Sequence, residues 1–291
     1  MRRKDNTTAY LLLIPALLLF GMFTLYPFLY GLFISLHRWD GFSDMVFIGF
    51  SNYQRVLGDP DFANAFKNNV LYAVGSVTGK ITLSLIIALL LNRSFRGLTF
   101  FRGVFFVPVV LSFIAVGSLW QRIYDPVLGI LNVFLLKTSI ISEPILWLAD
   151  PTLAIWSLVM VDIWKWAGYH AVLFLAGLQT IPADLYEAAS VDGANRFSKF
   201  IYITVANLKS ILLMNITIAL MGAFSVFDLV HIMTRGGPYK STEVMLTYMY
   251  TKTFDASNSN FGFGSSVAYL LFVIILVITV VQSRAMNKAE E

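Results

Sequence analysis

Cysteine is missing from the 291 residues, and its absence rules out disulfides, thiolate metal sites and a lipoprotein anchor. It leaves the compartment open, because a chain packed in lipid needs no such staples. Charge is scarce as well: Asp, Glu, Lys and Arg supply 13% of residues, against roughly 25% in a soluble domain. Hydrophobic residues make up 57%, and the mean hydropathy is +0.72. The three histidines, His37, His170 and His231, have no metal-ligand spacing. No acidic pair clusters at a span end, as a membrane-embedded metalloenzyme would require. A Walker-type phosphate loop is lacking too, and Gly236-Gly237-Pro238 is a turn. The chain is therefore not read as an enzyme, no cofactor or metal is assigned to it, and any ATP must be hydrolysed on another subunit. No basic cluster or RNA-binding signature accompanies the net charge of +4, so nucleic acid is excluded as a partner. No linker, low-complexity tract, charge block or repeat divides the sequence, and residues 1–291 are expected to form a single domain.

What the chain has in abundance is long apolar runs. Six pass the length test of about 20 residues for a membrane span: approximately Tyr10–Leu36, Val70–Leu91, Phe101–Leu119, Leu153–Leu178, Ile211–Val230 and Ser265–Val281. The expected fold is all-α and polytopic, with six transmembrane helices and a core over 70–283. The first run follows Arg2-Arg3-Lys4, as a signal peptide would. It is far longer than an h-region of about 7–15 residues, and no small-residue cleavage site closes it, so it is expected to be a retained span. Pro15 and Pro27 within it are tolerable where neighbouring groups satisfy the freed carbonyls.

Lysine and arginine give the orientation. With the N-terminus inside, eleven cations fall on the cytoplasmic side: Arg2, Arg3, Lys4, Arg93, Arg96, Arg102, Arg196, Lys199, Lys209, Arg284 and Lys288. Eight fall outside: Arg38, Arg55, Lys67, Arg122, Lys137, Arg235, Lys240 and Lys252. The inside segments are much shorter, so positive charge is denser there, which predicts a multi-pass protein of the cell membrane with both termini cytoplasmic. Trp39, Trp120, Trp147 and Tyr248 near span ends fit an interfacial aromatic belt.

Between the fourth and fifth runs lies a polar stretch, residues 182–203. Pro182 suits the first turn of a helix, and Asp184 and Glu187 favour the positive end of its dipole. Gly193 allows a turn that a side chain would hinder. Asp192 is placed to cap a second helix through Asn195–Ile203, whose Phe197, Phe200 and Ile201 share an apolar face. The outcome is helix, bend, helix on the cytoplasmic side. It is either a pair of amphipathic helices at the lipid interface or a compact element that a soluble partner grips.

The spacing of Glu187-Ala188-Ala189, Asp192-Gly193-Ala194, Phe200 and Ile203-Thr204 resembles the EAA loop of binding-protein-dependent ABC importer permeases. The likeness covers nearly the whole chain, in order. Ahead of the loop it includes Leu13-Ile14-Pro15-Ala16, Tyr26-Pro27, Gly49-Phe50-Ser51-Asn52-Tyr53, Asp162-Ile163-Trp164-Lys165-Trp166 and Leu178-Gln179-Thr180-Ile181-Pro182. After the loop come Val226-Phe227-Asp228-Leu229, Thr234-Arg235-Gly236-Gly237-Pro238 and Ser241-Thr242-Glu243. The chain resembles the first permease of the pair in maltose- and glycerol-phosphate-type systems. The resemblance implies a type I importer fold in which Glu187, Ala188, Ala189, Asp192, Gly193 and Ala194 form a cytoplasmic coupling helix gripped by an ATPase. It implies as partners a second permease, two ATP-binding subunits carrying ATP and magnesium, an extracytoplasmic solute-binding protein and membrane lipid. The cargo it implies is a sugar (mono-, di- or oligosaccharide), with glycerol phosphate or another small polar solute as the alternative. A stand-alone secondary carrier would leave the EAA stretch unexplained. Ala206 and Ser210 stand where the family usually has proline, which removes the residues expected to kink the entry to the next span.

Ionisable groups inside a span cost about 2.5–3.5 kcal/mol each, so they normally face partners or water. The fourth span carries Asp162, Lys165 and His170, and the second carries Lys80. Asp162 and Lys165, three apart, are neighbours able to neutralise each other. They are either a structural pair facing a second permease or, through Asp162, Trp166 and Tyr169, part of a stripe toward a polar path. The fifth span offers Asn215, Ala219, Gly222 and Val226 at helical spacing, small residues that either permit close packing or leave room for a solute. The resemblance adds that solute contacts come from the spans flanking the loop. Asp162, Lys165, Trp166, Tyr169, Asn215, Ala219, Gly222 and Val226 are therefore the candidate path residues. Lys80 is expected near an interface, its amine reaching toward water.

Overall fold

A long apolar segment in lipid must satisfy its backbone polar groups internally, and helices do this within one segment. The computed structural model describes residues 2–93, 96–254 and 259–290, with side chains for 10–93, 96–254 and 259–284. Helix α1 (Arg2–Phe20) contains Pro15 and leads through a π-helical turn, Gly21–Leu25, into α2 (Tyr26–Ser35). Pro27 has no N–H for the carbonyl of Phe23, and the backbone meets this with a wider turn in which Tyr26 N–H bonds to Gly21 O. A two-stranded antiparallel pair follows, β1 (His37–Arg38) with β2 (Val46–Phe47), then α3 (Ser51–Leu57). The long α4 (Pro60–Leu91) precedes α5 (Leu98–Val110), α6 (Phe113–Ile123) and α7 (Ile130–Lys137). Next come α8 (Ala154–Leu178), α9 (Ala183–Val191), α10 (Arg196–Lys199) and a second π-helical stretch, Phe200–Val205. The chain closes with α11 (Lys209–Phe224), α12 (Asp228–Met233), α13 (Met245–Phe254) and α14 (Phe261–Glu290).

Four helical segments among the described residues are long and apolar enough to cross a membrane: Tyr10–Ser35, Pro60–Leu91, Ala154–Leu178 and Phe261–Arg284. Two bent pairs raise the number to six when each counts as one span. One is α5 with α6, bent by 99°; the other is Arg196–Val205 with α11, bent by 70°. The second bend forms without the missing prolines. Asn207 Nδ2 donates to Ile203 O at 2.7 Å, so a side chain takes a backbone acceptor just where the helix breaks. Helix bounds depart from the apolar runs at several ends; the last helix, for one, runs Phe261–Glu290 against the expected Ser265–Val281. The second span begins at Pro60 rather than Val70, and the fifth stops at Phe224, leaving Val230 in α12.

The chain divides into two compact units, Met1–Phe62 with Met249–Phe272 and Ala63–Tyr248 with Val273–Glu291. In the first, Asn52 Nδ2 donates to the carbonyls of Ser35 and His37, both at 2.9 Å, which ties the strand pair to α3. Lys252 pairs with Asp59 at 3.3 Å and lies 3.9 Å from Asp61. The apolar side chains of α1 from Tyr10 to Phe20 are exposed, a surface suited to lipid or a membrane partner.

In the second unit α8 is the core, with most of its residues buried. Gly168 faces the Phe105 carbonyl so closely that a Cβ would strike backbone, and this lets α5 and α8 meet. Ile87, Ala88 and Leu91 of α4 pack with Ala171, Phe174, Leu175 and Leu178 of α8 and with Leu208, a buried cluster at the end of α8 that leads to α9. In lipid the gain from such a cluster is close packing rather than water exclusion. Asparagines of α4 clasp the turn around Gly236-Gly237-Pro238: Asn64 and Asn68 donate to Lys240 O at 2.8 and 3.0 Å, and Asn68 also to Glu243 O at 3.0 Å.

Candidate functional site: an unburied helix and a polar cavity

Helix α9 runs for nine residues and buries none of them. Its end is built with care nonetheless. Gly193 adopts φ +78°, its N–H bonds to Ser190 O at 3.2 Å, and Ala194 N–H bonds to Ala189 O at 2.8 Å. These two bonds around a left-handed residue are the Schellman arrangement, which satisfies the last carbonyls of the helix. Asp192 occupies the C-cap of α9, so it does not cap the following helix as expected. Asn195 does that, its side chain accepting from Ser198 N at 2.8 Å, because the turn at Gly193 delivers an extended backbone one step before Arg196. The second helix runs to Val205, past its expected end at Ile203, with α10 passing into the π-helical stretch, and Phe197, Phe200 and Ile201 form no buried face. Two contacts tie the pieces together: Tyr186 Oη with Thr204 Oγ1 at 2.9 Å, and Lys199 Nζ donating to Ser190 Oγ at 2.5 Å. Glu187, Ala188, Asp192 and Gly193 are exposed, with Ala189 and Ala194 half-buried. Around them Val191 is 88% exposed, Phe197 72% and Tyr202 79%.

The same unit holds a cavity of about 470 Å³, within the range of small-molecule sites. One wall is α8, where Asp162, Trp166, Tyr169 and His170 fall on one stripe at helical spacing. The facing wall is Ala219 and Gly222 of α11, continuing past the helix end through Ser225, Val226 and Phe227 to Asp228 and Leu229 of α12. Lys80 of α4 and Phe113 at the start of α6 complete it.

Two of the cations expected from the sequence change places. Asp162 does not pair with Lys165; Lys80 Nζ reaches its Oδ2 at 2.9 Å, and Ser76 Oγ donates to the same oxygen. Lys80 is therefore buried in a pair, not reaching for an interface. Lys165, 2% exposed, turns the other way. Its ammonium donates to Pro108 O and Val109 O at 3.2 Å each and to Leu111 O at 2.6 Å, with the rings of Phe113 and Trp166 at 4.8 and 5.3 Å. Those carbonyls are the ones α5 leaves open where the span breaks, and they carry the negative end of its dipole. Lys165 thus caps a broken helix and does not line the cavity. Asn215 is also outside the lining: fully buried, it holds His170 Nδ1 at 2.7 Å. Its Nδ2 donates to Ile211 O at 3.0 Å, so its oxygen faces the ring and His170 Nδ1 is the donor.

A family model for the binding-protein-dependent transport system inner membrane component matches residues 80–286, well over half the sequence. The chain belongs to that family. Among relatives of this transport component, the probable ABC transporter permease protein YurN of Bacillus subtilis is 36% identical over 100% of both chains. The lactose transport system permease protein LacF of Rhizobium radiobacter is 34% identical over 97% of this chain and 95% of its own. Of solved structures, a chain of the bacterial alginate ABC transporter, in complex with an alginate pentasaccharide-bound periplasmic protein, superposes with a TM-score of 0.85. It covers 98% of this transport component and 96% of the other chain at 21% identity, a likeness of fold.

Of the eight candidate path residues, Asp162, Trp166, Tyr169, Ala219, Gly222 and Val226 line one cavity of the transport component, while Lys165 and Asn215 support it from behind. Sequence reasoning missed Lys80, Phe113 and Asp228 as lining residues. Lys80 carried a usable signal: it sits 20 residues into a 32-residue helix, too deep for its amine to reach water easily.

Proposed function

We propose that this chain is the transmembrane subunit of an ATP-driven importer and forms the path of a carbohydrate across the cell membrane. In this reading residues 1–291 act as one permease domain with both termini in the cytoplasm. It pairs with a second permease, two cytoplasmic ATPases carrying ATP and magnesium, and an extracytoplasmic solute-binding protein. Family membership and a relative named for lactose transport support the cargo class. The neighbouring structure with a periplasmic protein supports the binding-protein partner.

The observation that carries the proposal is α9: a helix with nothing buried on its own chain, closed by a well-formed cap and surrounded by exposed apolar residues. Such a helix is a surface meant for another protein. It joins α8 to the α10–α11 segment, and α8 and α11 are the helices that face each other across the cavity. Displacing α9 when the ATPases close therefore moves both walls, the rocking that alternating access requires. Glu187, Ala188, Ala189, Asp192, Gly193 and Ala194 make the docking contact. Asp162, Trp166, Tyr169, Ala219, Gly222 and Val226 meet the solute, with Lys165 and Asn215 positioning them.

Three substitutions test the two halves. Glu187→Lys is expected to abolish copurification of the ATPase or its solute-stimulated hydrolysis, with membrane insertion unchanged; normal assembly and uptake would remove the docking role. Tyr169→Ala and Asn215→Ala are expected to raise the KM for uptake with the complex intact. A change in assembly alone would make those residues structural.

A further inference from the structure

The charges of the cavity narrow the cargo further, on the reading that this cavity is the solute path. One cation, Lys80, faces two carboxylates, Asp162 and Asp228. Lys80 and Asp162 neutralise each other at 2.9 Å, and both are buried. Lys165, the lysine of α8, is spent on the carbonyls of α5 and contributes nothing to the lining. Asp228 is exposed on the cavity wall in the first turn of α12 and has no ion pair among the described residues. The lining therefore presents net negative charge. His170 adds an acceptor: with Nδ1–H committed to Asn215, Nε2 of the neutral ring has a lone pair to offer. Trp166 and Tyr169, edge to face at 5.9 Å, add the flat apolar surfaces on which the C–H faces of a sugar ring stack.

A wall of acceptors beside aromatic rings fits a solute that donates many O–H bonds and carries no charge. An anion would meet a bare carboxylate with no free cation to offset it. We infer that this subunit passes an uncharged, hydroxyl-rich carbohydrate and turns away phosphorylated or carboxylate-bearing sugars, with Asp228 as the residue that sets the charge preference.

The test uses the assembled importer in liposomes, energised by ATP and supplied with its binding protein. Initial uptake is measured for size-matched probes, maltose against maltobionate and galactose against galacturonate, in the wild type and in Asp228→Asn, Asp228→Lys and Trp166→Ala. Comparing variants with one binding protein isolates the share of selectivity due to this chain. The expected result is a preference of at least about tenfold for the neutral probe, of the size a close unscreened charge supplies. That gap should narrow in Asp228→Asn and close or reverse in Asp228→Lys, with ATPase copurification retained. A wild-type preference for the anions, or a ratio unmoved by both Asp228 variants, overturns the charge selection. If Trp166→Ala still lowers uptake of every probe in that case, the cavity remains the path. If Trp166→Ala changes nothing, the path itself is elsewhere, and the inference falls with it. Should Asp228→Lys fail to assemble, the Asp228→Asn ratio decides.

Discussion

A lysine and an aspartate buried against each other in a membrane span form a pair whose members depend on one another more than the protein depends on the pair. Lys80 and Asp162 meet at 2.9 Å, with Ser76 donating to the same carboxylate oxygen. Removing one partner leaves a buried charge uncompensated, at a cost of about 3–5 kcal/mol, whereas replacing both with apolar residues is often neutral. Lys80→Met is therefore expected to lower the thermal midpoint of the detergent-purified complex markedly, and Lys80→Met with Asp162→Leu to recover most of the loss. Equal loss in the double variant would show that the pair does more than neutralise itself. The sequence placed Asp162 and Lys165 together because they are neighbours along the helix, and that rule holds for an isolated helix only. Here the break between α5 and α6 creates a stronger demand on Lys165 than Asp162 makes. A break inside a span is invisible to hydropathy, since residues 101–119 read as one continuous run.

At the scale of elements, α5 and α9 each depend on a single residue at their C-terminal end. Lys165 serves α5 with three hydrogen bonds to carbonyls. Bonds of this charged kind are worth about 1.5–3 kcal/mol each when lost from a buried acceptor. Lys165→Met should destabilise the complex and lower uptake of every solute alike, leaving the ratio of neutral to anionic probes unchanged; a selective effect on one probe would place the ammonium in the path after all. Gly193 serves α9 with its left-handed backbone. A β-branched residue there costs about 1–2 kcal/mol in strain. Gly193→Val is expected to weaken ATPase copurification while protein level and membrane insertion persist, and Gly193→Asn to be milder because asparagine tolerates that region. Identical behaviour of the two would separate docking from the cap. The existence of α9 and its glycine turn was legible in the sequence, since Asp184 and Gly193 sit where a first turn and a C-terminal turn want them. The capping of α10 was not, because moving the cap from Asp192 to Asn195 depends on how many residues the turn consumes.

Across the whole molecule, periodicity and length made the helical class plain, and the ordered motifs made the family plain. What they did not reveal is which polar groups share a cavity. Asp228 looked like one letter of a motif at the exit of the fifth span, yet α12 folds so that it lines the cavity wall that faces α8. That juxtaposition is a product of the helix ending at Phe224, a boundary which composition alone does not mark. Orientation is open to direct measurement: a fluorescent protein joined after residue 290 should glow, and alkaline phosphatase at the same point should stay inactive. The reverse pattern would put α9 on the outer face and end the docking proposal.

The bareness of α9 also bears on how the subunit is kept in step with its partners. A copy made without an ATPase would display Val191, Phe197 and Tyr202 to the solvent along α9, α10 and the π-helical stretch, pieces tied to one another by two side-chain contacts and a glycine cap. Housekeeping proteases favour such stretches, because little local free energy opposes their opening. Unassembled copies should accordingly be nicked within residues 183–205 and cleared, whereas engaged copies are shielded there. Subunit stoichiometry would then be enforced by degradation of the surplus rather than by matched synthesis.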